Sequence, residues 1–407
     1  MKPSGIEWIG DIPDDWEVRK ITTLLDNIGS GTTPPNNTDF YENGIIPWLN
    51  TGDLTDNYVD LIENKITEYA LNQYSALKIF PKDSVVIAMY GATIGKLGIL
   101  RESASTNQAC CVMQCNDNLY FKFLFYSLYG YREYILTLSY GSGQPNISQK
   151  IIKDLRLPTP PLKTQQRIAD YLDEKCGEID ATIAKQKEII EKLKAYKQSL
   201  ISETVTKGLD KSAPLKPSGI KWLGEISQNA RIIRLRFLSS IQTGDKDTAN
   251  RVENGKYPFY VRSPIVERID TFSFDGEAIL MAGDGVGAGK VFHYVNGKFD
   301  YHQRVYNIHN LKGVLGKFLY YYLRENFYKE IEQSNAKSTV DSIRLPMLLD
   351  FPIIVYLYDL QKKIVSFLDK KVTEIDVIII KKQNIIQKLD AYKKSLIFEY
   401  VTGKRLV

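Results

Sequence analysis

The sequence predicts an α+β chain with a pseudo-two-fold internal repeat: two β-rich domains separated by two long helices packed as an antiparallel coiled coil. Three observations predict it. A charged 36-residue segment recurs without a gap, a short opening motif recurs ahead of each globular stretch, and those stretches alternate short apolar runs with turn residues.

The recurring segment is YLDEKCGEIDATIAKQKEIIEKLKAYKQSLISETVT at 171–206 and FLDKKVTEIDVIIIKKQNIIQKLDAYKKSLIFEYVT at 367–402, with 21 of 36 positions identical. The opening motif is KPSGIEWIGDIP at 2–13 and KPSGIKWLGEIS at 216–227, sharing eight of twelve. The order is opening, domain, helix, twice over. A period this long marks a duplicated domain and not a solenoid. Gly208, Pro214 and Pro217 supply a helix stop and a linker. The expected boundaries are 1–160 for the first β-rich domain, 161–209 for the first helix, 210–356 for the second domain and 357–407 for the second helix.

Within the first helix, Leu172, Ile179, Leu193 and Leu200 fall on a seven-residue spacing, interleaved with Ile183 and Ile190. Leu368, Ile375, Leu389 and Leu396, with Ile379 and Ile386, repeat the pattern in the second. This is a heptad seam. At ~1.5 Å per residue, 36 helical residues make a rod of roughly 54 Å. Pairing the two helices of one chain is the economical arrangement, and the antiparallel direction relates the two domains by a pseudo-two-fold axis. The alternative use of such a seam is a homodimer.

Each globular half reads as short strands with a helix. The first has apolar runs at 45–49, 84–90 and 109–113 and a helical stretch near 120–138; the second has one at 278–281 and a helical stretch near 313–332. A glycine-rich turn follows a strand in both, Gly91-Ala92-Thr93-Ile94-Gly95-Lys96 and Gly285-Val286-Gly287-Ala288-Gly289-Lys290. Asn107-Gln108 and His302-Gln303-Arg304 follow downstream. These glycines suit tight β-turns whose lysine projects from the rim, where it can meet a phosphate.

Composition narrows the function. With 53 basic and 48 acidic residues the net charge is +5, so a polyanionic partner must be met locally. The four cysteines lack metal or redox spacing, and three histidines supply few ligands, so no metal site is expected. No secretory leader or 18-residue apolar span occurs, which predicts a cytoplasmic protein with no membrane partner. The turns fit neither a P-loop nor a dinucleotide fingerprint. No adenine-methyltransferase motif is present, and the acidic set Asp53, Glu63 and Lys65 is what chance provides. No catalytic residue is expected.

The duplicated opening, the Gly-Ala-Thr-Ile-Gly-Lys turn, Gln144-Pro145-Asn146-Ile147-Ser148, and Pro158 through Gln165-Gln166 running into the long helix together resemble the specificity subunit of type I restriction-modification systems. The resemblance spans essentially the whole chain. It implies that each globular half is a target recognition domain reading one half of a bipartite double-stranded DNA site, with the helices as spacer. It further implies docking of two methyltransferase (modification) subunits and of restriction (translocase-nuclease) subunits. S-adenosylmethionine, ATP and Mg would reside in those partners, and no cofactor in this chain. Candidate DNA contacts, polar and at or near the repeated turns, are Lys96, Ser142, Gln144 and Asn146 in the first domain and Lys246, Lys290, Arg304 and Lys337 in the second. The second copy departs from the pattern at Phe351-Pro352-Ile353, and its counterpart of Gln144-Pro145-Asn146 is weak around 334–337. The competing function is a duplicated coiled-coil scaffold that joins two partners without reading DNA.

Overall fold

The computed structural model of the chain describes residues 1–140, 145–334 and 342–407. It forms two compact units, one of residues 1–186 with 384–407 and one of 187–383. The division cuts across both long helices, Leu162–Lys207 and Tyr358–Val401, so each unit owns a β-rich domain and part of each helix.

In the first unit a five-stranded sheet has the order Leu25–Gly29, Cys110–Cys115, Val85–Ala88, Leu97–Leu100, Asn57–Val59, antiparallel except for the last pair. A three-stranded sheet has Ile46–Leu49 in its centre, parallel to Ser105–Thr106 and antiparallel to Lys65–Ile66. Val85-Val86-Ile87-Ala88 is buried on both faces, and its two-residue period sends alternate side chains to different cores. Val85 and Ile87 face Phe123 and Leu128 from the helix Phe121–Gly130. Val86 and Ala88 face Leu49, Leu54 and Phe80. The helix expected through 138 breaks at Tyr131 and resumes over Arg132–Thr137. Gly130 sits at the break, where a Cβ would lie 3.2 Å from Val401, and glycine is a weak helix former.

The second unit merges the corresponding strands into one six-stranded sheet, ordered Ser240–Thr243, Val305–His309, Phe274–Ala282, Phe292–Tyr301, Tyr257–Tyr260, Val266–Ile269. The merger follows from the unbroken strand Phe292–Tyr301, which pairs with Phe274–Ala282 along most of its length and with Tyr257–Tyr260 through Asp300-Tyr301. The helix Gly316–Ser334 covers one face.

The helices run antiparallel within each unit. In the first, Tyr171 meets Tyr400 with ring centroids 4.7 Å apart, and Lys393 donates to Asp180 at 2.6 Å. In the second, Lys197 donates to Asp376 at 2.6 Å. One number rises as its partner falls, and the two ion pairs are repeat equivalents. Of the seam residues, Leu172, Ile179, Ile183, Ile190, Leu368, Ile375, Ile379 and Leu396 are buried, while Leu193, Leu200, Ile386 and Leu389 are half-buried. In the last turns the buried stripe leaves the heptad: Ile201 and Val205 enter the core of the second unit, and Ile397 and Val401 that of the first. Ile183→Asp should therefore cost about 3 kcal/mol by placing a carboxylate in the first core. A urea midpoint unchanged from wild type would contradict this placement.

A buried glutamine starts each long helix. Gln165 accepts from the Tyr120 N–H at 2.8 Å and donates to the carbonyls of Asn118 and Pro160. Gln361 does the same for Leu315, Gly313 and Tyr356. Among the described residues no helix is long and apolar enough to cross a membrane.

Candidate nucleic-acid interface

Each β-rich domain gathers three segments at one sheet edge, and the same backbone hydrogen bonds build the edge in both. A strand-end loop crosses first. Its glycine lies so close to a neighbouring strand that a Cβ on Gly31 would stand 1.7 Å from the Thr106 carbonyl, and one on Gly244 2.0 Å from that of Tyr301. Only glycine permits such an approach.

The second segment follows the crossed strand. Asn107 N–H donates to Leu49 O at 3.0 Å, and its side-chain Oδ1 accepts from the Ala109 N–H at 3.0 Å. His302 N–H donates to Tyr260 O at 2.9 Å, and its Nδ1 accepts from the Arg304 N–H at 2.9 Å. Asparagine and histidine thus perform one task, an acceptor aimed at the amide two residues on. Nδ1 is unprotonated there, which leaves the proton on Nε2, 3.5 Å from Asp247. Burial and the nearby Arg262 both hold the His302 pKa below its usual value, consistent with a neutral ring.

The third segment is the glycine-rich turn. Gly91, Gly95, Gly285 and Gly289 all take positive φ, and Gly95 and Gly289 donate to Ala88 and Ala282 at 2.8 and 2.9 Å. Met89 and Gly283, just ahead, accept from Ile147 and Ile343, each at 2.7 Å. The structural counterpart of Asn146-Ile147 is therefore Ser342-Ile343, further along the chain than 334–337, where the sequence comparison places it.

The side chains on these matched frames differ. In the first domain Asn107 Nδ2 donates to Asn50 Oδ1 at 3.0 Å and Thr33 donates to Gln108 at 2.6 Å, giving an edge of amides and hydroxyls with Lys96 exposed at the turn. In the second, Asp284 accepts from Arg262 at 3.2 Å and lies 3.6 Å from the Arg304 Nε, while Lys246 pairs with Asp245. Lys290 is exposed with its Nζ 4.2 Å over the Tyr328 ring, and Val286 at the turn tip is 99% exposed.

Of the residues selected from sequence, Lys246, Lys290 and Arg304 come together on the second edge and Lys96 lies on the first. Asn146 contributes backbone bridges to Tyr90 and Tyr140. Ser142, Gln144 and Lys337 lie outside the described residues. Sequence reasoning missed Arg262, Asp284, Asn50 and the clasping roles of Asn107 and His302. The one signal available for the last two was their place after matched turns.

Each unit also has a groove beside its opening-motif tryptophan. In the first, about 720 Å³, Trp8 stacks on Tyr134 at 4.2 Å, facing Lys394 and Phe398. In the second, about 550 Å³, Trp222 faces Gln198 and Ser202, the repeat equivalents of those two. The indole N–H of both tryptophans is buried without a partner.

Burial pushes the thiol of Cys111 up to about 12 and that of Cys176 up to about 11, away from thiolate reactivity. Among the described residues no group of three His, Cys, Asp or Glu could hold a metal ion.

The family model described as the type I restriction modification DNA specificity domain matches residues 13–195 and again 232–390. The chain is 25% identical to the type I restriction enzyme MjaVIII specificity subunit of Methanocaldococcus jannaschii over 97% of this chain and 93% of that one. It is 30% identical to the MjaIX specificity subunit of the same organism over 62% of this chain, and the match spans 58% of that relative's own length. Among solved structures, a chain from work on complex assembly and conformational transition of the type I R-M system superposes with a TM-score of 0.75 at 14% identity, covering 97% of this chain and 100% of the other. The HsdS subunit from Thermoanaerobacter tengcongensis gives a TM-score of 0.53 at 14% identity, covering 97% and 98%. Both likenesses are of fold. The chain belongs to the type I restriction-modification DNA specificity family, as one of its sequence-specificity subunits.

Proposed function

We propose that the chain reads a bipartite double-stranded DNA site, one half with each β-rich domain, inside a type I restriction-modification complex. The observation that carries this is the edge built twice: one set of backbone hydrogen bonds, with different side chains in each copy. A duplicated frame with divergent side chains suits two readers of two different half-sites, because phosphate contacts position a protein on DNA and base-edge contacts specify the sequence.

Two copies of a methyltransferase subunit dock on the shared helices and beside the paired tryptophan grooves, which recur at equivalent positions and so suit two like partners. Restriction subunits join that assembly. Adenine methylation with S-adenosylmethionine, and ATP- and Mg-dependent translocation and cleavage, belong to those partners, and this chain contributes recognition without catalysis or cofactor.

Selection from a random duplex library by the chain in complex with its methyltransferase partner tests the proposal. Two short enriched blocks separated by unread positions are the expected result; enrichment of no sequence would overturn it. Lys96 and Lys290, both exposed, are assigned to phosphates. Lys96→Ala and Lys290→Ala should each weaken binding to all sequences and reduce the slope of log affinity against log salt by about 0.9. An unchanged slope in the filter-binding titration would remove that lysine from the interface.

A further inference from the structure

The bases read by one half can be argued further, on the footing that the edges read DNA as proposed above. At three matched positions the frames carry different chemistry. Arg262 lies two residues beyond the carbonyl that anchors His302, as Thr51 does for Asn107. Arg304 receives the clasp from His302 that Ala109 receives from Asn107. Asp284 immediately precedes the turn and bridges Ser342, as Tyr90 bridges Asn146.

We infer that the second β-rich domain reads a G·C pair in the major groove through Arg262 and Arg304 oriented by Asp284, while the first reads its half-site with neutral amides and hydroxyls. The Asp284 side chain is 21% exposed and lies between guanidiniums whose side chains are 46% and 64% exposed. A carboxylate so placed biases two long side chains toward one place before DNA arrives, Arg262 by a hydrogen bond at 3.2 Å and Arg304 by charge at 3.6 Å, which lowers part of the entropy cost of ordering them. It also argues against a phosphate clamp, since an anion between the two cations repels a phosphate oxygen. The hydrogen-bonding pattern fits a base pair instead. Guanine presents O6 and N7 as acceptors, for which arginine is the commonest partner, and cytosine presents an N4 donor that a carboxylate accepts.

The backbone fixes the trio. Gly283 N–H donates to Arg304 O at 2.8 Å, and a Cβ on Gly287 would stand 2.4 Å from Arg262 O, so the turn is pressed against the Arg262 segment. Arg262, Asp284 and Lys290 line one open cleft of about 490 Å³, with Val286 at its lip. In the first domain Thr51, Tyr90 and Ala109 carry no charge. The nearby Asn50 and Gln108 amides carry donors and acceptors of the kind that suit adenine N6 and N7, while the Asn107 head group is spent on Ala109 and Asn50.

The test is library selection with the full chain in its methyltransferase complex, comparing wild type with R262K, R304K and D284N. Lysine keeps the charge and loses the two-pronged fork. The expected result is that one half-site contains a required G·C pair, that preference for it falls about 5- to 100-fold in R262K or R304K with total affinity little changed, and that the other half-site is untouched. D284N should blur the same position. Matching thermal melts for the lysine variants exclude misfolding. A wild-type motif whose half-sites both survive R262K and R304K overturns the assignment and leaves the reading of DNA standing. A uniform loss of affinity in D284N with no change of motif also overturns it. No motif in wild type would sink the DNA-reading function itself.

Discussion

Gly244→Ala should destabilise the second unit by about 3 kcal/mol, the upper end of the usual range for forcing extra volume into a packed site. The added methyl would lie 2.0 Å from the Tyr301 carbonyl and 2.8 Å from that of His302, both backbone atoms, so no rotamer change relieves it. The chain must move at Gly244 itself, and the moved segment carries Lys246 and Asp247. Lys246 O accepts from the Gln303 N–H at 2.8 Å, and Asp247 accepts from Gln303 Nε2 and stands opposite His302. Stability and recognition should therefore fall together: a lower urea midpoint for the second unit, with weakened preference at one half-site only. Gly31→Ala should produce the mirror effect, weakening the other half-site, since its methyl would meet Thr106. Equal binding profiles for wild type and both alanine variants would show that the crossing does not set the reading edge.

Gln165→Ala should cost about 3–5 kcal/mol, placing it among the largest single-residue effects in the molecule. Alanine leaves the Tyr120 N–H and the carbonyls of Asn118 and Pro160 without their partner at the joint between the domain helix and the long helix. Water has poor access, since Gln165 itself is fully buried. Gln165→Glu should not rescue, because a carboxylate supplies no N–H for the two carbonyls and introduces a buried charge. Gln361→Ala should lower the second unit by a similar amount. Chemical denaturation followed by tryptophan fluorescence measures both, Trp8 and Trp16 reporting on the first unit and Trp222 on the second. A loss below about 1 kcal/mol in either variant would mean the joint is held by apolar contacts alone.

The long helices were the most legible part of the sequence, because a heptad pattern and a duplicated text both point to them. Even there the pattern stopped short. Ile201, Val205, Ile397 and Val401 sit off the seam and are buried by the domains, a placement that depends on tertiary packing and leaves no periodic trace. The turns that carry Lys96 and Lys290 were visible as repeated glycine patterns. The residues that complete the second edge were not. Arg262 reaches Asp284 because Tyr257–Tyr260 runs parallel to Asp300-Tyr301, and a parallel pairing of distant segments has no local signature. His302 belongs to a matched tripeptide, yet its task depends on the Arg304 N–H that donates to its ring, a contact that no letter pattern marks.

The division of the long helices sets an order of events during synthesis. The second unit is contiguous, residues 187–383, and can close as soon as that stretch has left the ribosome. The first needs Leu396, Ile397, Tyr400 and Val401, which follow the whole second unit in sequence. Although its β-rich domain precedes the whole second unit in the chain, its core stays open until Val401 has been made. A nascent chain halted anywhere between the two units' shared helices and residue 384 exposes an unfilled apolar surface on the first β-rich domain, so closure of the first unit waits on the second.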